Sequence, residues 1–155
     1  MQVTIEQTKD FRELAKLNKA VQTWHHDNFP DEFKPFDMNE MVNAFEKMIQ
    51  DKNVFAFLAS FQEESIGYLL GFVKTRPNSA FQYEKTTLHI DQVAVIQSFQ
   101  KRGVGQLLMN EAYRLAELKQ IKEIQLDFWA GNDLAENFFS RNDFNFFNHR
   151  MNKRI

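Results

Sequence analysis

The chain of 155 residues contains no cysteine, few glycines and prolines, and no long apolar run. Without cysteine there is no disulfide framework, no thiolate nucleophile and no cysteine-based zinc site, which fits a reducing compartment. Five glycines and three prolines leave no flexible or proline-rich linker. The longest uncharged apolar stretches, such as residues 54–61, fall far short of the ~20 residues that span a bilayer. No basic start with an apolar core marks a signal peptide. We therefore expect one cytoplasmic domain over residues 1–155, without a membrane partner.

The balance of charge argues against a nucleic-acid partner. Nineteen Lys and Arg face 21 Asp and Glu, for a net charge of -2. Nucleic-acid-binding domains are usually basic or carry a clustered basic face. The 17 phenylalanines instead supply ample material for a core. These numbers favour a globular domain that acts on a small molecule or a peptide.

Apolar periodicity and helix-capping residues predict a mixed α/β fold. Asp10 and Asp37 each precede an apolar pattern of helical spacing and are expected to cap a helix. Two β-rich runs around residues 62–64 predict an antiparallel hairpin. The expected strands are residues 3–5, 54–60, 66–73, 87–96 and 121–129, with one or two more in 144–155. Helices are expected after Asp10, Asp37 and Gly103, and a short one capped by Asn132 or Asp133. The fold class is then α/β of the α+β type, a largely antiparallel sheet with helices on both faces.

The most informative segment joins the strand at 87–96 to the next helix and reads Gln100-Lys101-Arg102-Gly103-Val104-Gly105. We call residues 100–106 the glycine turn. Glycines let backbone N–H groups approach a ligand closely, and a helix N-terminus favours an anion. The pattern therefore predicts a phosphate or pyrophosphate site, although a plain strand-to-helix turn could also use two glycines. A Walker A loop is excluded because Gln106 follows Gly105, and a dinucleotide fingerprint would place its third small residue at Leu108.

Three spaced segments carry a resemblance to a known family. Residues 90–95 followed by Gln100-x-x-Gly103-x-Gly105 resemble the Q/R-x-x-G-x-G/A acetyl-CoA-binding motif of the GNAT superfamily of N-acetyltransferases. Residues 124–129 are similar to the family's next strand, and Asn132-x-x-Ala135-x-x-Phe138-Phe139, followed by Phe144, resembles its next segment. The close likeness covers residues 88–147. It implies a GNAT-like sheet splayed between the fourth and fifth strands, acetyl-CoA as cofactor and coenzyme A as product.

The resemblance also implies where the cofactor lies. Backbone groups of the fourth strand would pair with the pantetheine arm, and the glycine turn would hold the pyrophosphate. The cofactor-binding residues implied in this way are Val93, Ala94, Val95, Gln100, Lys101, Arg102, Gly103, Val104, Gly105, Gln106, Asn132, Ala135, Phe138 and Phe139. Residues 93–95 read equally well as buried strand residues, and Asn132 as an ordinary helix cap.

Transfer from a thioester to an amine calls for a base that removes the ammonium proton. His89 falls where some family members carry a catalytic glutamate, and histidine exchanges a proton readily near neutral pH. Asp91, two residues further on, points to the same strand face and is the alternative base. The competing interpretation is a strand histidine that only makes a hydrogen bond inside the cleft.

Two positions depart from the family pattern. Phe139 stands where the family usually keeps a tyrosine whose hydroxyl protonates the leaving thiolate. Phenylalanine cannot do so, and the alternative acids are Tyr83, in the loop before the fourth strand, or a water molecule. Asp143 stands where the family commonly has glycine, and aspartate tolerates the left-handed backbone better than most residues.

The acceptor side is implied by the resemblance alone. It places Trp24, His25, Phe29 and Phe33 near the acceptor entrance, although a solvated helix end followed by a turn is an equal interpretation. His25 and His26 are helix neighbours that point apart, so no metal site is expected. Acidic and aromatic residues in 24–36 and 78–85 favour a cationic or amphipathic amine.

The sequence thus predicts an acetyl-CoA-dependent N-acetyltransferase that acts on a primary amine of a small molecule or peptide. Two alternatives stay open: a non-catalytic acyl-CoA-binding or sensory module of the same fold, and a nucleotide-binding domain. We expect a monomer or a homodimer, the latter through pairing across the C-terminal strands.

Overall fold

A computed structural model describes residues 2–155 and shows one five-stranded sheet flanked by helices. The strands are β1 (Thr4–Gln7), β2 (Val54–Phe61), β3 (Glu64–Arg76), β4 (Lys85–Val95) and β5 (Ile124–Leu126). The helices are α1 (Phe11–Asn28), α2 (Met38–Met48), α3 (Val104–Leu118) and α4 (Asp133–Ser140), with a 3₁₀ turn at Gln97–Phe99. The strand order is β1-β2-β3-β4-β5, antiparallel except for the parallel pair of β4 with β5. The predicted fold class is confirmed.

The helix starts follow from local capping chemistry. The Asp10 carboxylate accepts hydrogen bonds from the backbone N–H groups of Arg12 and Glu13, both at 3.1 Å. The Asp37 carboxylate accepts from the N–H of Glu40 at 2.8 Å. Both predicted caps are confirmed, and each supplies acceptors that the first helical turn lacks.

Helices cover both faces of the sheet, and each face has its own core. On one face, Leu14 of α1 and Phe45 of α2 pack with Tyr68 of β3. On the other face, Leu108 of α3 and Phe139 of α4 pack with strand residues of β2 to β4. Within residues 2–155, no helix is long and apolar enough to cross a membrane.

A β-bulge interrupts β4 at Asp91. Ile90 lies opposite Gly71 of β3 and Gln92 lies opposite Leu70, so Asp91 has no partner on β3. A side chain at Gly71 would collide with the His89 carbonyl oxygen, so only glycine fits beside the bulge. Bulges bend a strand and increase its twist.

The bulge also changes which residues face which core. Before it, the even-numbered Leu88 and Ile90 face the α3 side of the sheet. After it, the odd-numbered Val93 and Val95 do so, while Ala94 packs toward α1 and α2. One extra residue has shifted the two-residue alternation of the strand.

The predicted strand at 121–129 is wrong in its length, because β5 spans only Ile124–Leu126. The Ile121 N–H is used at the end of α3, where it donates to the Ala116 carbonyl at 2.8 Å. The chain beyond Leu126 leaves the sheet, so the apolar run around β5 serves partly to pack the helix end and the cleft described below.

The predicted C-terminal strands are wrong. Residues 141–155 form no strand, and Phe146 and Phe147 are 63% and 73% exposed. Alternation of apolar and polar residues is not enough, because a strand is stabilised by a partner, and none pairs with this segment. The predicted edge strand for Arg150, Lys153 and Arg154 is therefore also wrong; Arg154 instead lies 2.8 Å from the Asp31 carboxylate. A homodimer formed by pairing of C-terminal strands is therefore not supported, because residues 141–155 form no strand.

Candidate active site

The sheet opens between β4 and β5. The two strands pair only at Leu88 with Ile124, His89 with Gln125, and Ile90 with Leu126. Beyond Ile90, β4 continues to Val95 in contact with β3 alone. The splay predicted between the fourth and fifth strands is confirmed. It leaves residues 93–95 with an open backbone edge, where an extended ligand could add main-chain hydrogen bonds.

The glycine turn presents unpaired backbone donors. Gly103 has a left-handed conformation, φ +84°, and precedes α3 without a side-chain cap. The first hydrogen bond at this end runs from the Leu107 N–H to the Gly103 carbonyl at 3.1 Å. The N–H groups of Val104, Gly105 and Gln106 therefore have no acceptor within the helix, and they form the positive end of its dipole.

Contacts with neighbouring elements hold the glycine turn in place. The Gln100 side-chain amide donates to the Val95 carbonyl at 2.9 Å, so the turn is fixed to the end of β4. A Cβ at Gly105 would lie 3.2 Å from the Phe138 ring, which packs α4 close against the start of α3. Lys101 and Arg102 are exposed and add positive charge. These donors and charges fit the pyrophosphate of a coenzyme A ester.

α4 lies beside the open edge. Asn132 caps the helix by accepting from the Ala135 N–H at 3.1 Å, which confirms the predicted cap, and both residues line the cleft described next. Phe139 also lines the cleft and is 9% exposed; its ring lies 5.2 Å from Phe138 and 5.7 Å from Phe144. This wall of the cleft is apolar at the position where the family usually has a hydroxyl.

A cavity of about 290 Å³ lies between α1, β4 and residues 126–135; we call it the central cleft. Two carboxylates line it, Asp91 at the bulge and Asp127 just after β5. His89 does not line it, but its Nε2 lies 3.6 Å from Asp127 Oδ2, and its ring stacks on Phe72 at 4.8 Å. The acidic lining favours a cationic ligand. His89 contacts the cleft through the Asp127 carboxylate.

Aromatic rings form the mouth of the central cleft. His25 and Phe33 line it and stack at 4.5 Å, and Trp129 lines the opposite side, 5.1 Å from Phe33. Trp24 and Phe29 stand behind them, 5.4 Å from His25 and 4.6 Å from Trp129. Burial lowers the pKa of His25, so its ring stays neutral to lower pH than usual.

The structure does not bring Tyr83 to the site. Tyr83 is 88% exposed, does not line the central cleft, and has its backbone carbonyl bound by Arg76 at 3.1 Å. Asp143 has φ +61°, which confirms that aspartate keeps the left-handed turn at the family's glycine position. Within residues 2–155, no group of three His, Asp or Glu side chains is arranged to hold a metal ion.

Sequence reasoning missed several residues of the central cleft. Asp127 and Trp129 were assigned to a strand, and the cleft residues Asn18 and Gln92 were not singled out. A signal existed for Asn18, because it is a polar residue within the apolar helical pattern of α1 and is 4% exposed. Asp127 became recognisable only once β5 was seen to end at Leu126.

The comparisons with known proteins agree with this geometry. Residues 18–144, which include the glycine turn and the central cleft, match the Acetyltransferase (GNAT) family. The chain belongs to this family.

Solved structures share the fold at low sequence identity. The tetramutant of the BH1408 protein from Bacillus halodurans is 18% identical, with a TM-score of 0.89 and 100% of both chains covered. Aminoglycoside N-acetyltransferase AAC(6')-Iy, solved in complex with CoA, is 16% identical, with a TM-score of 0.78, and 99% of this chain and 95% of that chain are covered. The aminoglycoside acetyltransferase meta-AAC0020, from an uncultured soil metagenomic sample and in complex with sisomicin, is 17% identical, with a TM-score of 0.68 and coverage of 99% and 95%.

Proposed function

We propose that the chain is an acetyl-CoA-dependent N-acetyltransferase whose acceptor is a cationic primary amine bound in the central cleft. The observation that carries this proposal is the open backbone edge of β4. It joins the unpaired N–H groups of the glycine turn to a cleft with two carboxylates. A thioester held along that edge would have its acyl end beside the amine.

The cofactor would be held chiefly by backbone groups. The glycine turn and the helix start would bind the pyrophosphate, the edge of β4 the pantetheine arm, and α4 the opposite side. When bound, acetyl-CoA supplies an acyl group activated as a thioester. The binding residues in this proposal are Val93, Ala94, Val95, Gln100, Lys101, Arg102, Gly103, Val104, Gly105, Gln106, Asn132, Ala135, Phe138 and Phe139.

The acceptor would be oriented by charge and deprotonated before attack. An alkyl ammonium of pKa ~10.4 is protonated at neutral pH, and Asp91 and Asp127 would attract it into the cleft. His89 does not line the cleft, so it would take the proton through one water molecule, and the Asp127 carboxylate at 3.6 Å would orient its ring. Asp91 is the alternative base. His25, Phe33 and the rings behind them, Trp24 and Phe29, would surround the rest of the acceptor.

The leaving group needs little help in this site. A thiol has a pKa of ~8.5, so the thiolate leaves readily and can take its proton from water. Because the chain has no cysteine, an acyl-cysteine intermediate is excluded and the acetyl group would pass directly to the amine. Phe139 offers no proton, so we expect the transfer to be slower than with the family's tyrosine at this position.

A second candidate is a non-catalytic acyl-CoA-binding module, favoured by Phe139 at the position of the family's acid. Thiol release from acetyl-CoA with a panel of amines separates the two. Thiol release that depends on the amine and falls in the His89→Ala variant supports the enzyme. Tight binding of acetyl-CoA in calorimetry without turnover of any amine supports the module. Failure to bind acetyl-CoA at millimolar concentration contradicts both.

A further inference from the structure

Three polar side chains from three elements meet at the inner end of the central cleft. The Tyr68 hydroxyl of β3 donates to Gln92 Oε1 of β4 at 2.6 Å. The Asn18 amide of α1 donates to the Tyr68 oxygen at 3.0 Å and to Gln92 Oε1 at 3.2 Å. Tyr68 is 0% exposed, and Asn18 and Gln92 both line the cleft. We call Asn18, Tyr68 and Gln92 the polar triad.

Asp91 fixes the direction of every hydrogen bond in the polar triad. The Gln92 amide group donates to Asp91 Oδ2 at 3.0 Å, and an ionised carboxylate can only accept. Gln92 Oε1 is therefore turned inward, toward Tyr68 and Asn18, where it needs donors. Asn18 consequently presents its NH₂ group to Gln92. If the Asn18 amide were reversed, its Oδ1 would face Gln92 Oε1, and neither oxygen could donate.

Tyr68 keeps the proton that this arrangement requires. Burial raises the pKa of its hydroxyl; the hydrogen bond from Asn18 acts against this rise, and the Asp91 charge adds to it. The hydroxyl thus remains a donor to Gln92 over the whole neutral range. It holds Gln92 and, through Gln92, the orientation of Asn18.

The fixed orientation leaves one acceptor unused. Within residues 2–155, Asn18 Oδ1 is buried and has no hydrogen-bond partner. A buried polar atom without a partner destabilises the fold, and native proteins rarely retain one without a purpose. Asn18 lines the same cleft as the two carboxylates, so a bound ligand with an N–H or O–H group could supply the missing donor.

We propose that Asn18 Oδ1 accepts a hydrogen bond from a second donor group of the acceptor, either an ammonium or a hydroxyl. The polar triad would then select amines that carry a further donor over simple alkyl amines. Its kinetic test rests on the proposed acetyl transfer. A site built to bind a donor discriminates against an analogue that lacks it, because the buried acceptor is then left unpaired.

The experiment compares three acceptors of similar size: 1,3-diaminopropane, 3-amino-1-propanol and n-butylamine. KM and kcat are measured by thiol release for the wild type, Asn18→Leu and the exposed control Lys19→Ala. The wild type and the control are expected to prefer at least one donor-bearing acceptor over n-butylamine by about 10- to 100-fold in kcat/KM. Asn18→Leu is expected to lose this preference through a higher KM for the donor-bearing acceptors. Equal preference in wild type and Asn18→Leu overturns the proposal.

Asn18→Ala keeps the experiment decisive if Asn18→Leu does not fold, because the smaller side chain brings no clash into the polar triad. This variant also removes the Oδ1 acceptor, so the preference for a donor-bearing acceptor over n-butylamine should be lost. A preference equal to that of the wild type contradicts the proposal. The two donor-bearing acceptors also separate ammonium from hydroxyl recognition in the wild type.

Failure of the proposed function gives a different result, namely no thiol release from any amine in the wild type. In that case the same three amines are titrated by calorimetry into the wild type and Asn18→Leu. Tighter binding of a donor-bearing amine that is lost in Asn18→Leu supports the role of Asn18, and equal binding of all three in both proteins contradicts it.

Discussion

The glycine turn and the central cleft lie at the two ends of the open edge of β4, and they are built in different ways. The turn is one contiguous segment whose backbone N–H groups would bind the cofactor in the proposed function. The cleft collects side chains from α1, from the loop after it, from β4 and from the segment after β5. The proposed cofactor end of the site is thus formed by neighbours in sequence, whereas the proposed acceptor end forms only when distant elements pack together.

The largest expected effect separates chemistry in the cleft from binding at the turn. His89→Gln removes the proposed base, and we expect kcat to fall about 10²–10⁴-fold. The dissociation constant of acetyl-CoA, measured by calorimetry, should stay unchanged because His89 is not part of the glycine turn. The matched variant Asp91→Asn identifies the base: a larger loss there, with normal turnover in His89→Gln, would transfer the role to Asp91.

The converse change acts on the turn alone. Gly103 has φ +84°, which a β-branched residue adopts only at a cost of about 1–3 kcal/mol. In Gly103→Val we expect the turn to shift and the acetyl-CoA dissociation constant to rise about 10- to 100-fold. Gly103→Asn is the control, since asparagine tolerates the left-handed backbone. Equal affinities for the two variants would show that the backbone of this turn does not bind the cofactor.

A smaller effect is expected where the two regions meet. Phe139→Tyr places a hydroxyl in the wall of the cleft, and kcat should rise about 10-fold, less than a typical general acid gives, because thiolate leaves readily. The same hydroxyl in a buried position should lower the free energy of unfolding in urea by about 1–3 kcal/mol if it finds no partner. A kcat equal to that of the wild type would contradict a role for an acid at this position.

The pH dependence of stability reports on the aromatic mouth of the cleft. Burial lowers the pKa of His25 from 6.5, so the unfolded chain binds a proton more readily than the folded one. The free energy of unfolding should therefore fall as the pH drops below about 6.5 and level off below the folded-state pKa. In His25→Phe, the melting temperature should depend less on pH between pH 5 and 7 than in the wild type. The control His149→Gln, at an exposed histidine, should keep the wild-type slope of melting temperature against pH. If His25→Phe also keeps that slope, His25 is not its source.

The smallest effect tests an expectation that the structure does not support. Tyr83→Phe should change kcat by less than about twofold, as is usual for exposed substitutions away from a site. The same thiol-release assay measures it. A loss of tenfold or more would restore Tyr83 as the acid and would require the loop at 78–84 to close over the cleft.

The contrast between the two regions also explains which features were predictable. The glycine turn, the caps at Asp10 and Asp37 and the element order depend on neighbours in sequence, so pattern and propensity reveal them. The polar triad depends on three elements meeting, and no single segment records that. The prediction of strands after α4 was wrong because it used local alternation alone. Alternation suits a strand, but a strand forms only where a partner edge is within reach. Strict two-residue alternation also hides the bulge at Asp91, which changes the face of every later residue of β4.

The bulge at Asp91 has an evolutionary consequence. Without that residue, Leu88, Ile90, Val93 and Val95 would alternate regularly and face the same core as they do now. Removal of one codon would therefore convert β4 into a regular strand without moving any buried side chain to the wrong face. The same event would straighten the strand at the point where pairing with β5 stops, and it would delete the carboxylate that orients Gln92. Conversely, gain of one codon in a regular ancestral strand would have opened the sheet and supplied an acidic residue in the opening in a single genetic step.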